Sequence, residues 1–379
     1  MQQSIYSRDD SLAFLNQNTP LVNKLANLHD TVREHCPFIH RIAVALYDPK
    51  TDLLKTFIHS SDASKPLSHY HAMLGDSASL SDIVNQGKPR VVNNLGIFAA
   101  REQEHSRRIL AEGYNASYTM PMYRNGRFCG FIFFNSRESG VFSEEVLHHL
   151  DLFGHLLSLT IVHELQNLDT LVNAVHTARD LAHQRDNETG AHLDRMSRYA
   201  RLIAVELADK YNLDDNFIEH LFMFSPLHDI GKIAIPDRIL LKDGKLTAEE
   251  FELMKTHTLK GRELIESMLD NFGLLALEHS DMLRNIAELH HEALNGSGYP
   301  HGLSGSAIPI EARIIAVADI FDALTSRRPY KEAWSNQEAI DALKCMAGHI
   351  LDEDCISALV DNLAMVERIQ AEFQENPFG

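Results

Sequence analysis

A long stretch without proline separates two halves of this sequence that differ in pattern. Residues 143–185 contain no proline and one glycine, and Ser143 followed by two glutamates is typical of a helix start. Before this stretch short β-like runs alternate with helical segments, whereas after it helices alternate with loops. The predicted fold is multidomain, with an α/β domain at 1–142, a connecting helix at 143–185 and an all-α domain at 186–379.

Two hairpins are predicted in the N-terminal half. Residues 40–48 and 53–61 are β-like runs on either side of the turn-prone sequence Pro49-Lys50-Thr51-Asp52. Residues 116–136 contain Asn125-Gly126, the strongest short-range hairpin signal. Consecutive hairpins of this kind indicate an antiparallel sheet.

The connecting helix carries an apolar stripe. Leu165, Leu168, Val172 and Val175 follow one another at steps of three and four, as in the seam of a coiled coil. Such a stripe would pack on its own domain or would join two chains. We favour an inter-domain helix that also dimerises, because the stripe continues beyond the expected end of the α/β domain. A homodimer is therefore predicted.

The charge balance limits the classes of partner. Lys and Arg total 35 against 53 Asp and Glu, which gives a net charge of −18. Nucleic acid and anionic membranes are not expected to bind a surface of this sign. No apolar signal core is present at the N-terminus and no run reaches the roughly 18 apolar residues of a membrane span, so a cytoplasmic location is expected. A phosphate substrate would need local positive charge from metal ions or from a few Lys and Arg.

Five short segments of the C-terminal half carry metal-binding residue types. They offer nitrogen and carboxylate donors without a cysteine pair, a set that suits Fe, Mn or similar ions rather than structural zinc. One helical histidine alone is more often a satisfied polar residue, so the prediction depends on the whole set. The candidate ligands are Glu188, His192, His228, Asp229, His257, His290, His291 and Asp319.

Three linked motifs resemble the HD-GYP family of phosphodiesterases. They are the sequence HDIGK at 228–232, HHEALNGSGYP at 290–300, and Asp319 within ADIFDALTSRRPYKEA, and the resemblance covers roughly residues 175–379. The family's loop often carries Asp where this chain has Asn295, and we expect Asn to hold the same turn. In the N-terminal half, NGRFCGFIFF and FSEEVLHHL are similar to GAF sensory domains through a looser pattern.

The resemblance implies a site with two or three divalent ions, Fe or Mn. His228, Asp229, His257, His290, His291 and Asp319 would bind two ions with Asp229 bridging them, while Glu188 and His192 match the family variant that holds a third. A carboxylate can span two cations about 3.5–4 Å apart, and such a pair lowers the pKa of a bridging water. The resulting hydroxide would attack phosphorus in line.

Several residues near the motifs are candidates for substrate contact. Lys232, three residues after Asp229, is predicted to contact phosphate and, with Asp229, to be catalytic. Asp322 is expected to orient a ligand or the substrate rather than to bind metal directly. Arg313 would bind phosphate or cap a carboxylate, with equal weight on each role. The substrate-binding candidates are Lys232, Tyr299, Arg313, Asp322, Arg328 and Lys331.

The resemblance implies an enzyme that hydrolyses cyclic di-GMP to pGpG and, with three ions, on to GMP, under control of the N-terminal sensory domain. Hybrid 3′3′-cyclic GMP-AMP is an alternative substrate, because nothing in the sequence determines base recognition. A non-catalytic cyclic-dinucleotide sensor is a further alternative. Such proteins normally lack some of the metal-binding residues, and none of these is missing here. Other HD-type nucleotide phosphohydrolases are disfavoured by the GYP sequence and the second histidine at 291. A diguanylate cyclase is a candidate partner through the loop at 295–309 that contains the GYP sequence, called the GYP loop below.

Overall fold

The computed structural model describes residues 9–62, 69, 71–98, 109–181, 190–274, 277–326 and 333–375. The chain divides into two compact units, Met1–Gln166 and Asn167–Gly379. The first contains the described strands, and the second is helical. The predicted fold class, an antiparallel α/β domain joined by a long helix to an all-α domain, is confirmed.

One six-stranded antiparallel sheet forms the centre of the N-terminal unit. The strands and accompanying helices are α1 (Leu21–His35), β1 (Arg41–Asp48), β2 (Leu53–Ser61), β3 (His71–Met73), α2 (Ala78–Gln86), β4 (Arg90–Val92), β5 (Ala116–Arg124) and β6 (Arg127–Ser136). The strands are arranged in the order β3-β2-β1-β6-β5-β4. Ala43, Phe131 and Phe133 pack with Leu80 and Ile83 of α2 in one apolar cluster. This burial holds the helix on the sheet.

Both predicted hairpins are confirmed. Strand β1 pairs with β2 up to Asp48 opposite Leu53. In the second hairpin Asn125 and Gly126 have φ of 50° and 76°, the positive values that a tight primed turn requires and that Asn-Gly tolerates. Strands β3 and β4 are three residues long, too short to give a periodic signal in the sequence.

The connecting helix α3 is Glu144–Leu181 and runs through the division between the units. Ser143 precedes it, and its hydroxyl accepts a backbone N–H at 3.4 Å, in agreement with the predicted start. Leu168 is 1% exposed, and both it and Val172 pack in the core of the helical unit. The predicted dimer seam is therefore wrong at these two positions, because burial within their own unit removes them from the surface. The side chain of Val175 lies outside the described residues.

The helical unit is built from short helices around one apolar core. They are α4 (Gly190–Glu206), α5 (Ala208–Tyr211), α6 (Asp215–Phe224), α7 (Asp237–Leu240), α8 (Ala248–Lys255), α9 (His257–Asn271), α10 (Ser280–Leu289), α11 (Ile310–Thr325), α12 (Asn336–Met346), α13 (Glu353–Asp361) and α14 (Leu363–Glu372). Tyr199 of α4 and Phe321 of α11 meet in this core with ring centroids 5.4 Å apart. Within the described ranges, no helix is both long and apolar enough to cross a membrane.

Candidate metal centre

The helical unit brings seven of the eight candidate ligands into two groups. Within each group the ligand atoms all lie within 4.8 Å of one another. The first group is Asp229, His257, His290 and His291, and the second is His192, His228 and Asp319. Segments that are far apart in sequence thus converge. His192, for example, lies beside Asp322, which is 130 positions further along the chain. The remaining candidate, Glu188, lies outside the described residues.

The HDIGK segment forms tight 3-10 turns. His228 ends the turn Ser225–Leu227, and Asp229 immediately precedes the 3-10 helix Ile230–Ala234. In a 3-10 helix residues three apart eclipse one another. Lys232 Nζ accordingly lies 2.6 Å from Asp229 Oδ2.

Asp229 lies between the two groups. Its Oδ1 faces the first group, at 3.0 Å from His257 Nε2 and 3.6 Å from His290 Nε2. Its Oδ2 faces His228 of the second group, at 3.2 Å from Nε2. One carboxylate with each oxygen directed to a different group is the arrangement that can bridge two cations.

Hydrogen bonds from Nδ1 orient the ligand histidines. His228, His257 and His290 each place Nδ1 against a backbone carbonyl three or four residues earlier, at 3.0, 2.8 and 2.8 Å. Because a carbonyl only accepts, Nδ1 must carry the proton and Nε2 the lone pair. His192 differs, since its Nδ1 lies 2.8 Å from the carboxylate of Asp322. All four rings thereby present Nε2 for coordination.

The electrostatics of the site favour a charged carboxylate beside neutral imidazoles. Burial would raise the pKa of Asp229, but the Lys232 ammonium and His228 outweigh it and hold the pKa well below its ordinary value. Burial lowers the pKa of His290, and burial together with neighbouring His290 lowers the pKa of His291 well below the usual value. These are the protonation states that metal coordination requires.

The residues present fit divalent cations. His290 Nε2 is buried and makes no hydrogen bond to any residue of the described ranges, although the buried polar groups of proteins are nearly always bonded. Five imidazoles and two carboxylates, without a thiolate, form a donor set suited to Fe or Mn. The structure therefore offers two adjacent cation subsites that share Asp229.

The loop after His291 places an aromatic ring against the site. The Tyr299 ring lies 4.8 Å from that of His291, centroid to centroid, and Lys255 Nζ lies 5.6 Å from the Tyr299 centroid. The two carboxylate oxygens of Glu292 accept the backbone N–H groups of His301 and Leu303 at 2.7 and 2.8 Å, which fixes the course of the loop.

Two features of the GYP loop explain its sequence. Asn295 Oδ1 accepts the backbone N–H of Ser297 at 3.0 Å, so Asn holds the turn as expected. A Cβ on Gly298 would overlap the backbone of Glu292 and Ala293, and no other residue type fits there without displacing the loop.

Two of the substrate-binding candidates are bound to other residues of the chain. Arg313 donates to Asp352 at 2.7 Å, which supports its carboxylate-capping role and leaves its guanidinium engaged away from the ligand groups. Asp322 is fully buried and is held by His192 and Arg195, a position that suits the expected role of orienting a ligand. Arg328 and Lys331 lie outside the described residues.

Arg195 is a site residue that the sequence reasoning missed. It lies on α4 three residues after His192 and is 5% exposed. The available signal was an arginine one turn before the aromatic Tyr199 on one face of the helix, where an unpaired charge would be costly. Lys255 and Glu292 were also missed, since neither belongs to a recognisable ligand pattern.

The chain is similar to known proteins. Residues 179–355 match the family model described as HD domain. The cyclic di-GMP phosphodiesterase response regulator RpfG of Xanthomonas campestris pv. campestris (strain 8004) is 46% identical over 192 residues, which are 50% of this chain and 47% of that protein. The 3′3′-cGAMP-specific phosphodiesterase 2 of Vibrio cholerae is 34% identical over 250 residues, 61% of this chain and 45% of that protein.

The chain spans about half the length of these curated relatives. Among solved structures, the GAF domain/HD domain protein from Geobacter sulfurreducens is similar with a TM-score of 0.32 and 16% identity, over 39% of this chain and 96% of that one.

Proposed function

We propose that this chain is a metal-dependent phosphodiesterase of the HD-GYP type that hydrolyses cyclic di-GMP to pGpG and on to GMP. The observation that carries the proposal is the position of Asp229, whose two oxygens face different ligand groups. A shared carboxylate between two cation subsites is the arrangement used for in-line displacement at phosphorus. The names of RpfG and of other relatives, cyclic di-GMP phosphodiesterases, supply the substrate class.

The residues of the site would have separate roles in hydrolysis and in substrate binding. Two divalent cations bound there would act as Lewis acids that lower the pKa of a water molecule and neutralise phosphate charge. Lys232 is 21% exposed in its side chain and reaches the site beside Asp229, so it would donate to a phosphate oxygen. The Tyr299 ring would form an apolar wall for the ribose or base. Arg328 and Lys331 would add positive charge for the second phosphate.

Iron or manganese would occupy the two subsites, and a third ion would require Glu188. His192 lies with His228 and Asp319 in one group, so a third ion would share His192 with that group. The identity of the metal and the third position follow from the family resemblance and the donor set.

Hybrid 3′3′-cyclic GMP-AMP is a second candidate substrate. The specific observation in its favour is the 34% identity to a relative named as specific for 3′3′-cGAMP. Both dinucleotides present the same two phosphates to the cations, and they differ in one base. The ligand groups therefore suit both compounds equally.

The decisive experiment compares turnover of the two cyclic dinucleotides, with Mn²⁺ or Fe²⁺, by the wild-type protein and the double variant His228→Ala, Asp229→Ala. The variant loses a ligand and the bridge, so hydrolysis should fall by at least about 10³-fold and metal content should fall with it. The matched control is His301→Asn, because His301 pairs with Glu288 and belongs to neither ligand group. Full activity in the double variant would refute the assignment.

Regulation and assembly are proposed on separate grounds. The N-terminal unit would regulate the helical unit through α3, which runs from one to the other.

A homodimer is still proposed, but with a different seam. Leu152 and Leu159 of α3 are 59% and 68% exposed and lie seven residues apart on one face. Contact of the GYP loop with a diguanylate cyclase stays a prediction.

A further inference from the structure

A buried carboxylate links a metal ligand to an arginine in the helical unit. Asp322 is fully buried, and one of its oxygens, Oδ2, lies 2.8 Å from His192 Nδ1. Arg195 binds the same carboxylate with two parallel hydrogen bonds, Nε to Oδ1 at 2.7 Å and Nη2 to Oδ2 at 2.9 Å. A bidentate pair of this kind fixes both the position and the plane of the carboxylate.

The other side of Arg195 holds the end of the described chain. Its Nη1 donates to the carbonyl oxygen of Phe373 at 2.8 Å, and its Nη2 donates to Glu375 Oε1 at 2.9 Å. The neighbouring Arg198, also on α4, stacks on the Phe373 ring at 4.0 Å from its centroid. The segment after α14 is therefore attached to the same helix that carries His192.

His192 is the ligand histidine whose orientation depends on this attachment. The rings of His228, His257 and His290 are held by carbonyls of their own backbone turns, which form wherever the local turn forms. The ring of His192 is held by a side chain 130 positions away, which in turn is held by Arg195 and by the Ser326 hydroxyl. Carboxylate partners of this kind set the orientation and basicity of a ligating imidazole.

We propose that Arg195 is a positioning residue and that residues 373–375 belong functionally to the metal centre, because they hold Arg195 against Asp322 and so aim His192 Nε2 into the subsite of His228 and Asp319. The inference rests on the proposed metal centre. It predicts that changes at the C-terminal segment weaken this subsite and spare the subsite of His257, His290 and His291.

Two truncations of this chain form a matched pair. The first ends at Glu372 and removes both contacts to Arg195, and the second ends at Glu375 and keeps them. Manganese would be counted by metal analysis and its affinity measured by titration. Electron paramagnetic resonance distinguishes a coupled Mn²⁺ pair from a single ion. The truncation at Glu372 should lose one tight ion per chain, with affinity at that subsite lower by on the order of 10- to 100-fold, and the coupled signal should become that of an isolated ion.

Point variants separate positioning from a structural role. Arg195→Lys keeps the charge but loses the bidentate geometry, and should reproduce the loss of one ion. Glu375→Ala should weaken the second ion several-fold, whereas Glu375→Gln keeps an acceptor oxygen and should restore most of the affinity. Glu375 has a side chain 31% exposed, so its replacement leaves the core intact.

The outcomes distinguish the inference from the proposal on which it rests. Two tight ions and a coupled signal in the wild type, with no change in the Glu372 truncation or in Glu375→Ala, would overturn the positioning role alone. A wild-type protein that binds no Mn²⁺ would overturn the metal centre and the inference together. Equal losses in the Glu372 and Glu375 truncations would also contradict the role of residues 373–375.

Discussion

Gly231 lies so close to His257 that a Cβ at position 231 would overlap the His257 carbonyl oxygen. The same Cβ would overlap the backbone nitrogen of Gly261, one turn further along α9. The HDIGK segment and the start of α9 therefore touch backbone to backbone. This approach places His257 Nε2 3.0 Å from Asp229 Oδ1, so the glycine of the motif sets the spacing of the first ligand group.

Gly231→Ala should separate these segments and weaken metal binding. Overpacking of this kind typically costs about 1–3 kcal/mol, and the displacement of His257 should lower Mn²⁺ affinity by about 10-fold or more. Titration with Mn²⁺ and denaturant unfolding would measure both effects. The control is Gly190→Ala, because a Cβ there meets no described residue within 4 Å. Equal Mn²⁺ affinity in the two variants would contradict the close-packing explanation.

Glu188→Ala tests the third ion. If Glu188 completes a third position with His192, the variant should bind about one ion fewer per chain while the shared Asp229 site stays loaded. Ring opening of cyclic di-GMP should continue at a reduced rate, whereas pGpG should accumulate, because the terminal phosphate of the linear product carries charge that the extra cation would neutralise. Chromatography of the products gives the answer. Unchanged metal content and unchanged GMP yield would make Glu188 a surface carboxylate.

The double variant Leu152→Glu, Leu159→Glu tests the revised dimer seam. Both side chains are exposed on one face of α3, and charges placed there would repel across a twofold seam. Light scattering should show a dimer for the wild type and a monomer for the variant. Leu241→Glu, at another exposed leucine in the helical unit, is the control and should stay dimeric. A monomeric wild type at high concentration would end the dimer proposal.

His220 gives a pH dependence to stability. Burial, with a smaller effect from the charge of His279, lowers the pKa of His220 from 6.5 to about 3. At a pH between these two pKa values, His220 is protonated in the unfolded chain and neutral in the folded chain. The stability that His220 contributes is therefore fully present above pH 6.5 and is lost as the pH falls towards 3, by about 1.4 kcal/mol per pH unit.

The measurement compares wild type with His220→Gln by denaturant unfolding at pH 7 and pH 5. The free energy of unfolding of the wild type, relative to that of the variant, should fall by about 2 kcal/mol from pH 7 to pH 5. Both proteins are studied with a chelator, so that proton competition at the metal ligands is absent. Parallel pH profiles for the two proteins would show that His220 is protonated when folded.

The sequence was sufficient to predict those features that depend only on the local backbone geometry or on residue type. Asn125-Gly126 predicts its hairpin because two adjacent positive φ values are tolerated by few other residue pairs. The ligand types were equally readable, because imidazole and carboxylate in the HDIGK and HHEALNGSGYP motifs have a restricted chemistry. The apolar stripe of α3 was not sufficient, because periodicity shows that a face is buried without showing what buries it.

The sequence by itself thus determined which residues could bind metal, the order in which they occur and the two hairpins of the sheet. Only the tertiary structure decided how the ligands divide into two groups, that Asp229 turns one oxygen to each, and that Arg313 binds Asp352. It alone showed the contacts of Arg195, whose partners Asp322 and Glu375 are 127 and 180 positions away. The physical reason is that such contacts are set by the packing of α4 and α11 in a common core, and no local propensity of the chain encodes the distance between two helices.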